Sequence, residues 1–365
     1  MVAARFNPLP AFKQQGACCM SYPFDFLVCI GRFQPFHNGH LAVVDAGLRQ
    51  ARQLILLCGS AEQPRSIRNP FTWQEREAMM RSAVAPADQA RLLIAPLADS
   101  PYNEDRWVRD VQRVVQELVA AQHQDLQRAP RIGLIGHCRA QSAYYPNRFP
   151  QWETVAVDYV AGVNATAIRQ CLLGPDFTPA ALNAWLPPGV QQWLTTFAAS
   201  DVCHDLRAEQ AFITAYKQGW VNAPYEPNFV TVDAAVVQSG HILLIERDRR
   251  PGKGLLALPG GFVDPGERIQ DACLRELVEE TCIGVPLPVL RGCIKQSAVF
   301  DAPHRSARCR TITHAFHIEL ETGRNLPLVS GSDDASTAQW VPLGELDPQR
   351  LFEDHYFIIQ ALLGL

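Results

Sequence analysis

Short apolar runs alternate with amphipathic stretches through the first half of the chain. Phe24–Ile30, Leu54–Cys58, Leu92–Leu97, Ile132–Ile135 and Val155–Val160 are rich in Val, Ile or Leu and lack polar alternation, as strands buried on both faces do. Between them, as in Trp107–Val119, apolar residues (Val108, Val111, Val115, Leu118, Val119) recur at helical spacing. This alternation predicts an α/β domain with a parallel, doubly wound sheet. Residues 176–203, rich in Pro, Ala, Gln and Trp, read as a terminal helix and connector. From about Asp205 the texture changes. Phe229–Val237 and His241–Ile245 flank Ser239-Gly240, a hairpin signal. A strong helix at Ile269–Thr281, strands near Thr311–Leu320 and Ala338–Val341, and a final helix from about Pro348 complete a mixed α+β half. The expected division is a flexible extension over 1–22, a first domain over 23–195, and a linker helix with a second domain over 196–365.

A length of 365 residues is comfortable for two cores. With 47% hydrophobic and 19% charged residues, disorder is not expected. The net charge of −4 has no long single-sign blocks, which argues against non-specific binding to nucleic acid or anionic membranes. The 11 cysteines form no C-x-x-C pair and include Cys29 and Cys58 inside apolar runs, so buried free thiols in a reducing compartment are expected. No apolar run approaches the roughly 20 residues that span a bilayer. The first 22 residues lack the apolar segment of a signal peptide. A cytoplasmic enzyme is the broad expectation.

Candidate chemistry falls at two places. GRFQPFHNGH (Gly31–His40) follows the first buried strand and opens the next helix, where ligands bind in an open α/β sheet. A helix start offers N–H groups and positive dipole to an anion. Gly31 and Gly39 permit close backbone approach, and His37 and His40 add two imidazoles. In the second half, GGFVDPGERIQDACLRELVEETCI places Glu276, Glu279 and Glu280 at helical i+3 and i+4 spacing, on one face. Three carboxylates there repel one another unless divalent cations with oxygen preference sit between them.

H-x-G-H after a first strand is the mark of the nucleotidyltransferase superfamily. GRFQPFHNGH resembles the archaeal-type nicotinamide mononucleotide (NMN) adenylyltransferases and their bacterial two-domain relatives. GSAEQPRSIRNPFTWQER (Gly59–Arg76), GHCRAQSAYYPNRFPQW (Gly136–Trp152) and NATAIR (Asn164–Arg169) resemble further segments of that family, in the same order. The resemblance implies a Rossmann-like nucleotidyltransferase domain that joins ATP to NMN without a covalent intermediate. His37, His40, Arg32 and Arg169 then meet ATP phosphates with a magnesium ion, while Gly31, Phe33 and Gly39 belong to the same cradle. Trp107 either stacks on the nicotinamide ring, an aromatic surface suited to a cationic heterocycle, or is a core residue. Asn103 is a weaker partner there, and His137 and Arg139 line the site, although GHCRAQS departs from the acidic version of that segment.

The second string is identified as a Nudix box, with Gly261, Glu267, Arg275-Glu276-Leu277 and Glu279-Glu280 at the box offsets. This implies Mg²⁺ or Mn²⁺ on Glu276, Glu279 and Glu280, with Glu279 and Glu280 also counted catalytic, and cleavage of a nucleoside diphosphate by metal-activated water. Glu267 and Arg275 brace the loop against the helix. Cys282 replaces the box glycine that lets a helix end left-handed; activity is expected to survive with a slightly shifted helix terminus. The fusion, with LPGGFVDPGE, RCRTITHAF and GSDDASTAQWVPL, resembles bacterial bifunctional enzymes whose second half hydrolyses ADP-ribose to AMP and ribose 5-phosphate. Arg305, Arg308 and Arg310 either hold substrate phosphate or form a solvated basic loop. Asp333 and Asp334 either supply a base or cap a turn. The partners expected are ATP, NMN and ADP-ribose, with a homo-oligomer allowed. Two alternatives stand beside this reading: an adenylyltransferase for another cofactor precursor, and a Nudix domain that senses ADP-ribose or NAD without cleaving it.

Overall fold

The computed structural model describes residues 22–122, 128–137, 147–333 and 335–365. Apart from Tyr22, the expected extension over 1–22 lies outside them, as do Arg139 and Asp334. In the first domain β1 (Phe24–Gly31), β2 (Ala51–Cys58), β3 (Leu92–Pro96), β4 (Ile132–His137) and β5 (Glu153–Val157) form a parallel sheet of order β3-β2-β1-β4-β5. Consecutive residues serve opposite cores: Leu27 and Leu54 face one, Val28 and Ile55 the other, all at 0% exposure. That is why the strands carry no polar alternation. α1 (Asn38–Gln50), α2 (Trp73–Ala83) and α3 (Glu104–Gln122) connect successive strands from β1 to β4, and α4 (Ala165–Leu173) follows β5. The last strand ends at Val157 rather than Val160, and as an edge strand it is largely exposed.

α5 (Pro188–Ala198) and α6 (Asp201–Gln218) follow. Leu194, Phe197, Cys203 and Leu206 join the first core, so the expected division between 195 and 196 runs through α5. α6 serves both halves. Arg207 donates to the carbonyls of Leu172 and Ala198, whereas Glu209 accepts the Gly252 N–H and Asp205 pairs with Arg250.

The second domain is a mixed sheet of order β11-β7-β6-β10-β9, with β8 on β7. Its strands are β6 (Asn228–Gln238), β7 (His241–Arg247), β8 (Leu256–Ala257), β9 (Ile294–Phe300), β10 (Arg310–Glu319) and β11 (Ala335–Pro342). The β6–β7 hairpin turns through Ser239 (φ 48°) and Gly240 (φ 76°), the left-handed pair a two-residue loop needs. α7 (Ile269–Thr281) covers one face through Ala272, Leu274 and Leu277, with α8 (Leu287–Gly292) beside it. α9 (His355–Leu363) covers the other through Ile358, Ile359 and Leu362. This helix starts at His355 rather than near Pro348, where the chain makes only a short 3-10 turn. Across the seam between domains, Tyr102 bonds Asp354, Arg68 donates to the His304 carbonyl at 3.2 Å, and Arg106 donates to the Leu365 carbonyl at 2.9 Å. All cysteines among the described residues are unbridged, and burial pushes the Cys29 and Cys58 thiols up to about 12.

Candidate active sites

Beyond Gly31 the chain turns through Phe33 (φ 51°) into α1. His37 caps that helix in an unusual way. Its Nδ1 accepts the His40 N–H at 3.4 Å, while His40 Nδ1 accepts the His37 N–H at 3.3 Å. The rings stack at 3.7 Å, and buried Phe33 meets His40 edge-on at 5.0 Å. With both Nδ1 atoms accepting, a neutral ring carries its proton on Nε2. Gly39 is buried in the first turn of α1.

Arg169, in the first turns of α4, is buried and donates to the Gln34 carbonyl at 2.7 Å. Burial, then Arg32 and Arg68, lower its pKa to about 10. Arg68 is lowered in the same way by burial and Arg32. Arg32 thus bears on both Arg68 and Arg169 at the open end of the parallel sheet, an electropositive arrangement suited to anions. Arg68 and Arg76 were missed as individual residues, although both lie in the Gly59–Arg76 segment. Arg76 is fully buried, and its Nη1 donates to the Arg32 and Gly59 carbonyls at 2.6 Å each. Asn103 spends its side-chain oxygen on the Arg106 N–H at 2.9 Å, capping α3. Trp107 is partly buried, its ring 6.0 Å from that of Phe149. His137 ends β4 at the same edge of the sheet.

In the second site Arg275 ties the box together. Its Nε and Nη2 grip Glu267 at 3.0 Å each, Nη1 reaches Glu276 and Glu279 at 2.9 Å each, and Nη2 donates to the Phe262 carbonyl at 3.3 Å. Gly261 presses against the helix: a Cβ there would lie 2.5 Å from Glu276 Oε1. Glu280 is buried and accepts the Gly260 N–H at 2.8 Å. Burial pushes its carboxyl up to about 8, with Glu276 and Asp233 adding to the rise. Glu276 is also raised by burial. With Arg275 between two carboxylates and Glu280 turned to the loop, no group of three acidic, His or Cys side chains among the described residues is gathered as a ready metal cage.

The three arginines of the following loop part company. Arg305 is buried and grips Asp354 at 3.0 and 2.9 Å, 3.9 Å from Asp233, so it is internal rather than phosphate-facing. Arg310 turns to Asp301. Arg308 lies over the Phe262 ring, beside the box. Asp333 adopts a left-handed φ of 54° and raises Glu276 through its charge. Asp233, buried beneath this site, and half-buried Glu353 were not singled out in the sequence because an isolated acidic residue carries no pattern.

His355 sets an acid limit for this domain. Its Nδ1 accepts the Leu258 N–H at 2.9 Å, and burial lowers its pKa to about 3. A depressed folded pKa means the neutral form stabilises the fold above the unfolded value of 6.5, and this is lost as pH falls through that window toward 3. At pH 5 the loss is expected to be ~2 kcal/mol. Denaturant titrations across pH 4–7 are expected to give a shallower acid loss for His355→Gln; identical slopes would refute the assignment.

Cys282 ends α7 at φ 44°, ψ 34°, its N–H donating to the Val278 carbonyl. A non-glycine residue there is strained by ~1 kcal/mol. Cys282→Gly is therefore expected to raise the melting temperature by a few degrees and to leave hydrolase turnover within twofold. A hundredfold gain in turnover would mean that cysteine is not tolerated.

Two family models match the chain: Cytidylyltransferase-like over residues 28–125 and NUDIX domain over residues 227–362. The class is thus a nucleotidyltransferase domain joined to a Nudix domain. The nicotinamide/nicotinic acid mononucleotide adenylyltransferase of Acinetobacter baylyi is 34% identical over 187 residues, 51% of this chain and 93% of the relative. The ADP-ribose pyrophosphatase of Methanocaldococcus jannaschii is 36% identical over 131 residues, 36% of this chain and 70% of the relative. The crystal structure of a bifunctional NMN adenylyltransferase/ADP ribose pyrophosphatase from Francisella tularensis, complexed with AMP and a manganese ion, matches with a TM-score of 0.86 and 36% identity. That match covers 93% of this chain and 99% of the other. The chain belongs to this bifunctional NMN adenylyltransferase/ADP-ribose pyrophosphatase family. No helix among the described residues is long and apolar enough to cross a membrane.

Proposed function

We propose that the first domain transfers AMP from ATP to NMN, giving NAD and pyrophosphate, and that the second hydrolyses ADP-ribose to AMP and ribose 5-phosphate. The observation that carries the first half is that Arg169, under the charge of Arg32 and Arg68, holds the Gln34 carbonyl at 2.7 Å in the turn that leads into the stacked His37 and His40. An NMN phosphate oxygen attacks the α-phosphorus of ATP, and the bond to the β-phosphate breaks. His37 and His40 offer Nε2–H donors to the phosphates, and Arg32 and Arg169 neutralise charge that builds in the transition state. Gly31, Phe33 and Gly39 shape the cradle, and Asn103 and Trp107 receive the nicotinamide.

In the second domain Glu276, Glu279 and Glu280 fit a hard divalent cation such as Mg²⁺ or Mn²⁺. They offer carboxylate oxygens on successive turns, and burial raises two of them, so that a cation would relieve the cost of their ionisation. When bound there, the ion supplies charge neutralisation and water activation. Arg275 and Glu267 keep loop and helix in register, and Gly261 and Arg308 face substrate more directly than Arg310. The division between activities falls within α6. A cytoplasmic setting, small-molecule partners without nucleic acid, and room for a homo-oligomer complete the reading.

Purified chain with ATP, Mg²⁺ and NMN is expected to form NAD, and in a separate assay to release AMP from ADP-ribose. Absence of NAD in the first assay would sink the adenylyltransferase reading; absence of AMP in the second would sink the hydrolase reading.

A further inference from the structure

Tyr102, in the turn before α3, packs against a core of the second domain, its ring edge-on to buried Phe300 at 4.8 Å. Its hydroxyl donates to Asp354 Oδ2, and burial together with the Asp354 charge raises its pKa, so the proton stays on the tyrosine. Asp354 stands at the N-cap of α9, where an aspartate ordinarily accepts an N–H of its own helix, yet its side chain makes no such bond. Both carboxylate oxygens are engaged elsewhere. Oδ1 accepts from Arg305 Nη2 at 2.9 Å, and Oδ2 accepts from Arg305 Nε at 3.0 Å beside the tyrosine hydroxyl. Arg305 lies 3.9 Å from Asp233, whose Oδ2 also accepts the Thr313 hydroxyl at 2.6 Å. Asp233 in turn underlies the box loop. The N–H groups of Val232 and Ala234, on either side of it, donate to the Gly261 and Pro259 carbonyls at 2.9 and 2.8 Å. A Cβ on Gly260 would lie 2.9 Å from Asp233 Oδ1, and the Gly260 N–H goes to Glu280. A row of contacts thus runs from the first domain to a box carboxylate, and Asp354, Arg305, Asp233 and Glu280 are all buried.

We propose that Tyr102 is a positioning residue of the hydrolase supplied by the other domain: by holding Asp354 it fixes Arg305 against Asp233, and so sets the Gly260 loop that holds Glu280. Removing the hydroxyl would free the Asp354 carboxylate to turn to the N–H groups of α9. Arg305 would follow it, and Asp233 would be left buried without its cation, a costly state. The proposal rests on the hydrolase reading above and adds that the hydrolase site is incomplete without the adenylyltransferase domain.

The test uses Tyr102→Phe in the full chain, which keeps the ring against Phe300 and removes only the hydroxyl. With Mg²⁺, well below the melting transitions, kcat for ADP-ribose is expected to fall about tenfold, the lower end of what residues behind a metal-ligand set contribute. KM for ADP-ribose and the rate of NAD synthesis are expected to stay within twofold. A tyrosine that merely joined the domains would lower the melting transition and leave kcat unmoved; that outcome, or equal loss of both activities, overturns the proposal. Hydrogen exchange in chelator gives a second reading that needs no turnover. The Gly260 amide is expected to exchange several-fold faster in Tyr102→Phe than in wild type, and an identical rate overturns the proposal. A wild-type chain inert toward ADP-ribose would sink the hydrolase reading instead, and the Gly260 amide then decides alone: faster exchange supports the positioning of the loop by Tyr102.

Discussion

Glu280→Gln is expected to lower ADP-ribose hydrolysis by at least ~10²–10³-fold, the scale on which preorganised charge acts in active sites, while NAD synthesis stays within twofold. Glutamine keeps the size of the side chain and an oxygen for the Gly260 N–H, so the loop has no reason to move. What it removes is a carboxylate that burial has already pushed up to about 8. For such a raised group, the stability it contributes is fully present below its unfolded value of 4.5 and lost as pH rises through about 8. In chelator at pH 8 and above, the variant is therefore expected to melt no lower than wild type. Hydrolysis at full rate would sink the role given to Glu280. Parallel loss of both activities would instead mark a general folding defect.

Arg76→Met is expected to strike the other half, and through the fold. Arg76 is fully buried, and the partners of its guanidinium are carbonyls: those of Arg32 and Gly59 at 2.6 Å, Thr72 at 3.2 Å and Ser60 at 3.4 Å. It thus stitches the turn after β1 to the turn after β2. Methionine fills much of the space and leaves several buried acceptors without donors, at ~1–3 kcal/mol each. A total of ~4 kcal/mol or more is expected to lower the first-domain melting transition by ~10 °C or more. NAD synthesis is expected to be lost, and ADP-ribose hydrolysis to persist below that transition. Lysine is not expected to rescue, because one ammonium cannot span carbonyls that a planar fork reaches on both sides. An unaltered transition would mean that water replaces the guanidinium.

The parallel sheet was legible because strands buried on both faces leave unbroken apolar runs, and Leu27-Val28 and Leu54-Ile55 each send neighbours into different cores. β9 was not, because Lys295, Gln296 and Ser297 face solvent on an edge strand and break any apolar run. The same contrast holds at the sites. His37, His40 and the box glutamates sit at short fixed spacings, so pattern alone finds them. Arg76 and Asp233 act through contacts with residues distant in sequence, and their letters look like those of ordinary surface residues. Arg305 was placed among phosphate-binding candidates because an arginine's sequence neighbours do not reveal Asp354, which lies 49 positions away.

Helix α6 belongs to both halves at once. Cys203 and Leu206 are committed to the first core, whereas Asp205 and Glu209, on the same two turns, are committed to the second domain. A splint of this kind has no neutral place to be cut. A first half ending at 195 would leave that core open to water, and a second half beginning later would lose the acceptor for the Gly252 N–H. The two enzymes therefore form a single unit of inheritance and of quality control, in which damage to the shared helix withdraws both activities together.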